Sequence, residues 1–260
     1  MGFITILCVL FSRQSSSQKL NEKNSINDLK QHTAFQVPEK LSIPKKILAN
    51  ICKNKKCLVE AFFPIGWSED ENYFAWIIEP ENEAIGGYDF TINIQNMKND
   101  TIIWTWPFKE YQQKNWDEKT NYNITKVWNE YKNLISQKLR QYNIRALDKS
   151  YNFKTFPAKI NNIIYTINSK QTHKFNEGFG YNEIEKESII IHTTAFGNKT
   201  VYEKKNYKWK VINSAIVGCI PSPKKGRIAI IKINEKRGYE GPPNLITPEV
   251  IGCHLTKGFK

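Results

Sequence analysis

Ser68-Glu-Asp-Glu-Asn-Tyr-Phe-Ala-Trp76 is the stretch that decides the fold, and it has a counterpart in Ser222-Pro-Lys-Lys-Gly-Arg-Ile-Ala-Ile230. Each holds a serine, a four-residue polar turn, two strand residues, an alanine and an apolar residue. Each therefore describes one β-hairpin. Serine with Asp or Pro starts the turn, Asn72 or Gly226 can take a positive φ, and the small alanine lets two sheet layers approach.

Around the first hairpin, Leu58 to Phe63, Tyr73 to Glu79, Tyr88 to Gln95 and Thr101 to Trp106 are rich in β-branched and aromatic residues. Polar or glycine-containing turns separate them, which predicts an antiparallel meander. Around the second lie Asn162 to Ile167, Ser188 to Phe196, Thr200 to Glu203, Lys208 to Ile212, Ala215 to Ile220, Arg227 to Ile233 and Glu249 to Leu255, most of them short and strand-like. Between the lobes, Ile124, Val127, Trp128, Tyr131, Leu134, Ile135, Leu139 and Tyr142 recur every three or four residues, with charged and polar residues on the other face. The spacing predicts one long amphipathic helix near 124–142, capped by Asn123 or Thr125 and stopped by a left-handed Asn143. The fold class is α+β and mostly antiparallel β, a meander, sandwich or incomplete propeller-like arrangement with that helix between two β-rich lobes.

The N-terminal stretch Met1-Gly-Phe-Ile-Thr-Ile-Leu-Cys-Val-Leu-Phe-Ser12 is apolar but too short to span a bilayer, and small Ser15 and Ser17 follow it. It reads as a signal peptide over 1–17, followed by a polar arm over 18–40 and a single β-rich domain over 41–260. The mature chain is expected to carry no transmembrane span. The chain has 38 basic and 25 acidic residues, net +13, which suits an anionic partner. Lysine supplies nearly all of that charge, since arginine occurs only at positions 13, 140, 145, 227 and 237, so solvated lysine faces account for much of it.

Removal of residues 1–17 leaves Cys52, Cys57, Cys219 and Cys253, an even number that suits an oxidising compartment. Cys52 and Cys57 enclose a tight turn that a disulfide could close. Cys219 and Cys253 follow glycines in strand-like runs that adjacency could bring together. The Cys-x4-Cys spacing is loose for zinc, and no metal or other cofactor is expected.

Gly218-Cys-Ile-Pro-Ser-Pro-Lys-Lys-Gly-Arg-Ile-Ala-Ile230, with Arg237-Gly-Tyr-Glu-Gly-Pro242, resembles the end of a family of predicted secreted bacterial proteins of unknown function. That family also has an early Gly-x-Ser hairpin, like Gly66-Trp-Ser68, and a helix between its halves ending much like Tyr142-Asn-Ile144. The two hairpins are themselves similar to those of Tol-associated periplasmic β-propeller blades. Glu69 stands where those blades have proline, and Lys224-Lys225 where they have Asp-Gly. The resemblance implies export and a β-rich fold, and brings no activity and no catalytic residues. Two blade-like motifs interrupted by a helix do not make a complete propeller.

Catalytic signatures are missing: there is no Gly-x-Ser-x-Gly elbow, phosphate loop or His-Glu-x-x-His. The candidate binding residues are Arg237, Tyr239 and Glu240, in a glycine- and proline-bounded loop, and Trp104 and Trp106, whose rings could stack on a sugar. His192 reads as a sheet histidine, and His254 as a possible metal ligand only if Cys219 and Cys253 are unpaired. These residues suggest a non-catalytic envelope module for a protein or anionic glycan. The alternative is an envelope hydrolase with carboxylates such as Glu240 and Asp70. With no recognition motif present, nucleic acid is not an expected partner.

Overall fold

The computed structural model describes residues 35–53, 57–81, 87–114, 121–148, 152–178, 180–205, 207, 211–238 and 243–260. The signal-peptide segment and most of the polar arm lie outside these, as do Tyr239 and Glu240. Residues 36–260 form one compact unit. It is mostly β, with three sheets, one a half-barrel, and three short helices.

The first hairpin joins β2 (Ala61–Ser68) to β3 (Tyr73–Glu79), and the meander continues through β4 (Asp89–Asn96) and β5 (Thr101–Lys109). With β6 (Ile144–Ala146) the sheet order is β5-β4-β3-β2-β6. The second hairpin joins β11 (Val211–Pro221) to β12 (Arg227–Lys236), which pairs with β13 (Asn244–His254). A short parallel strand, β1 (Cys57–Val59), closes this sheet as β1-β13-β12-β11. The third sheet, β10-β9-β8-β7, contains β7 (Ala158–Ile160), β8 (Ile163–Asn176), β9 (Tyr181–Thr193) and β10 (Gly197–Lys205).

The two motifs fold alike. Tyr73 faces Asn96 and Ala75 faces Ile94 in the first meander; Arg227 faces His254 and Ala229 faces Gly252 in the second. Both alanines are fully buried. In each turn the serine carbonyl accepts at 2.9 Å from the amide three residues on, Glu71 or Lys225. Those two residues, at φ 60° and 55°, carry the left-handed conformation, one position earlier than Asn72 and Gly226. The serine hydroxyls accept from the amides of Tyr73 (2.9 Å) and Arg227 (3.0 Å).

One difference ties the turns together. Ser68 donates to Asp70 Oδ1 at 2.6 Å within its own turn. The equivalent position in the second turn is Lys224, which cannot accept, and Glu71 of the first turn reaches across instead. Its Oε1 accepts from Ser222 Oγ at 2.6 Å and from the Gly226 amide at 3.3 Å. The missing acceptor at Lys224 is thus replaced from the other turn.

Apolar faces on both sides of β12 fill two cores. Phe62, Trp67, Phe74, Trp76, Ala229, Ile231 and Ile233 lie in one, with α1 (Lys45–Ile51) packed on it; Tyr165, Ile189, Ile191, Ile228, Ile230 and Ile251 lie in the other. Strand alternation sends successive residues to opposite faces.

The single long helix is corrected to two short ones, α2 (Ile124–Glu130) and α3 (Lys132–Gln141), broken at Tyr131. Tyr131 is anchored to the first sheet: its ring lies 5.2 Å from that of Trp106, and its hydroxyl donates to Gln113 Oε1 at 2.8 Å. That anchorage accompanies a backbone ψ of 13° at Tyr131, outside regular helix. Asn123 is the cap, accepting from the Lys126 amide at 3.0 Å, and Asn143 stops the second helix at φ 51°. Val127, Trp128, Ile135 and Leu139 are buried, whereas Leu134 falls outside the stripe and is exposed. No described helix is long and apolar enough to cross a membrane.

Candidate functional site

The Cys52–Cys57 disulfide is present. The expected Cys219–Cys253 pairing is not: both are buried free thiols, on β11 and β13 with β12 between them. Two strand spacings amount to about 9.5 Å, beyond the ~7 Å that a disulfide can bridge. Burial pushes their thiols up, to about 12 and about 11. Among the described residues no His, Cys, Asp and Glu group could hold a metal ion.

Trp104 and Trp106 lie on β5, where Trp106 packs against Tyr131 and the Lys138 ammonium lies 5.7 Å from the Trp104 ring. Arg237 follows β12 in another sheet, its guanidinium 5.3 Å from the Tyr181 ring. Asp70 is engaged by Ser68 and by the amide and side chain of Asn72. The Ser68 and Asn72 hydrogen bonds, working against partial burial, hold its carboxyl below the ordinary range. These contacts make it a turn residue. His192 is exposed on β9, 2.9 Å from Asn198 Oδ1.

A cleft of about 290 Å³ opens where the hairpin turn of the second repeat meets the segment linking the halves. Its walls carry Arg145, Asp148, Lys154, Lys159, Asn161 and Lys225, with Leu147, Ile160, Pro221 and Pro223 as apolar surface. Backbone pairing holds each cation. Arg145 stands on β6, opposite Trp67 of β2. Lys154 makes an isolated antiparallel bridge to Cys219, with reciprocal amide bonds of 2.9 and 2.8 Å. Lys159 is on β7, and the Lys225 carbonyl accepts from Asn161 Nδ2 at 3.1 Å.

Two glycines permit this close approach. A Cβ on Gly66 would fall 1.8 Å from the Arg145 carbonyl oxygen, and one on Gly218 would fall 2.4 Å from that of Lys154. Glu69, from the first turn, pairs with Arg145 across exposed surface. Lys154, Lys159 and Lys225 have no ion-pair partner among the described residues. Among the described residues, four cations therefore face one lining carboxylate, Asp148. None of this was visible in sequence, because three of the cations lie within residues 145–159 on β6, β7 and the bridge between them, and the fourth comes from the second hairpin turn.

A second cluster, also missed, lies between the β11–β13 and β8–β10 sheets. Lys232, fully buried, places Nζ 2.8 Å from Glu187 Oε2 and 2.9 Å from Glu249 Oε2. Tyr207 and Ser214 donate to Glu187, and Tyr202 and Asn234 donate to Glu249. Burial alone would raise both carboxyls, but the Lys232 charge and these hydrogen bonds hold Glu187 below its ordinary value and Glu249 at about 2. With its lysine sealed from solvent, the cluster is an inter-sheet latch.

Comparison with protein families, curated proteins and solved structures finds no match to this chain.

Proposed function

We propose that this chain is a non-catalytic binding module of the cell envelope or exterior that takes an anionic group of a glycan in the cleft between its second hairpin turn and the segment linking the halves. The observation that carries the reading is the concentration of Arg145, Lys154, Lys159 and Lys225 around one small concavity where, among the described residues, Asp148 is the single lining carboxylate. Clustered charge on concave walls focuses potential more than the same lysines spread over a surface. The Cys52–Cys57 disulfide and the resemblance to secreted bacterial proteins support an oxidising location.

The test is calorimetric titration with oligogalacturonate, a carboxylated glycan, at low and physiological salt. Binding is expected to weaken as salt screens the charges, and Lys159→Gln with Lys225→Gln should raise Kd at least ~10-fold. Both side chains are exposed, so the fold should be unaffected. Equal binding by the double variant would remove the cleft from the account.

The hydrolase reading has one observation in its favour. Burial raises the Glu60 carboxyl to about 7, against the opposing charge of Lys236 and with Asp89 in electrostatic reach. Glu60 lies between β1 and β2, outside the cleft lining. Cleavage of the oligomer during the titration, lost in Glu60→Gln, would favour that reading; an intact oligomer favours binding alone.

A further inference from the structure

From the charge arrangement of the cleft we infer that its ligand carries a dianionic phosphate monoester rather than a single carboxylate. The inference rests on the anion-binding reading above and sharpens it. Of the four lining cations, Arg145 is matched by Glu69, and Asp148 offsets one more. Among the described residues two positive charges remain, both of them lysine. Glu71 does not line the cleft; Ser222 and the Gly226 amide, which donate to its carboxylate, are neutral and leave its charge in place outside the lining.

A monocarboxylate would leave one of those charges facing the ligand uncompensated, whereas a phosphate monoester, doubly charged above its second pKa near 6, neutralises both. Lysine ammonium groups are compact point charges with three rotatable donors, suited to a tetrahedral oxyanion approached from several sides. The planar bidentate fork that favours a carboxylate belongs to Arg145 alone, and that side chain is already paired. The volume of about 290 Å³ is at the small end for ligand sites, enough for a phosphate and part of the sugar bearing it. Asn152 and Asn161 add neutral amide side chains to the lining.

The experiment compares methyl phosphate, dimethyl phosphate and acetate by calorimetry on the full chain at pH 8 and constant ionic strength. Methyl phosphate, a dianion there, is expected to bind at least ~10-fold tighter than either monoanion, and to lose that advantage at pH 5 as it becomes singly charged. Lys159→Gln with Lys225→Gln should remove the preference. Glucose 6-phosphate binding tighter than inorganic phosphate would assign a sugar-borne group; equal binding would assign the free anion. If all three probes bind equally in the cleft, the dianion inference fails and the anion-binding reading stands. If none binds and oligogalacturonate does not either, the cleft itself is not an anion site.

Discussion

Lys232→Met is expected to destabilise the protein by roughly 3–5 kcal/mol, the largest effect of any single side chain considered, measured as a fall in the urea midpoint at neutral pH. The lysine is fully buried, and its removal leaves Glu187 without its cation and Glu249, among the described residues, with only Lys204, at 3.8 Å. Methionine matches the volume, so a cavity does not account for the loss. The carboxylates do. Restoring neutrality with Glu187→Gln and Glu249→Gln in the same chain should recover most of the stability, since a neutral polar cluster avoids the desolvated charge.

The pH dependence has a definite sign. Glu249 has a folded pKa depressed to about 2, against an ordinary 4.5. Its contribution is therefore present above about pH 4.5 and lost as pH falls toward 2. The Lys232→Met variant lacks that contribution, so the gap to wild type should close across this window. A loss below ~1 kcal/mol at neutral pH would mean that water reaches the cluster and that it is no latch.

Gly218→Ala is expected to cost about 3 kcal/mol and to weaken anion binding together. The added methyl would fall 2.4 Å from the Lys154 carbonyl oxygen and 2.5 Å from the Phe153 ring. Backbone cannot yield as a flexible side chain can, so the Lys154 bridge must open. Overpacking contributes roughly 1–3 kcal/mol, and two lost amide bonds about 1 kcal/mol each. The displaced Lys154 then no longer stands on the cleft wall. Gly178→Ala is the control, because its Cβ would meet nothing closer than 3.6 Å, and it should change stability by less than ~0.5 kcal/mol. Full anion affinity in a destabilised Gly218→Ala would separate the cleft from the glycine that shapes it.

What was legible in the sequence follows from locality. Both hairpins could be read because a serine and a polar turn fix their own geometry within six residues. The positive φ was misplaced by one residue, since Glu71 and Lys225 are not residue types that advertise it. The helical stripe was visible, but its break at Tyr131 depends on contacts with Trp106 of β5 and with Gln113 in the turn that follows it. The long arms of β8 and β9 were underestimated because their exposed stretches lack apolar alternation. Lys232 left one usable signal: it shares a strand face with Ile228 and Ile230, where a lysine must either be paired or end the core. Its partners Glu187 and Glu249 could not be named without register. The cleft was least legible, because Arg145, Lys154, Lys159 and Lys225 meet only after two glycines allow strand edges to approach.

The most direct test of the central claim is an amide NMR titration of the full chain with inorganic phosphate at constant ionic strength. Saturable shifts confined to Arg145, Lys154, Lys159, Asn161 and Lys225 are the result this account predicts. Small, unsaturable shifts spread over lysines throughout the surface would contradict it, and would reduce the net charge of +13 to a solvated coat.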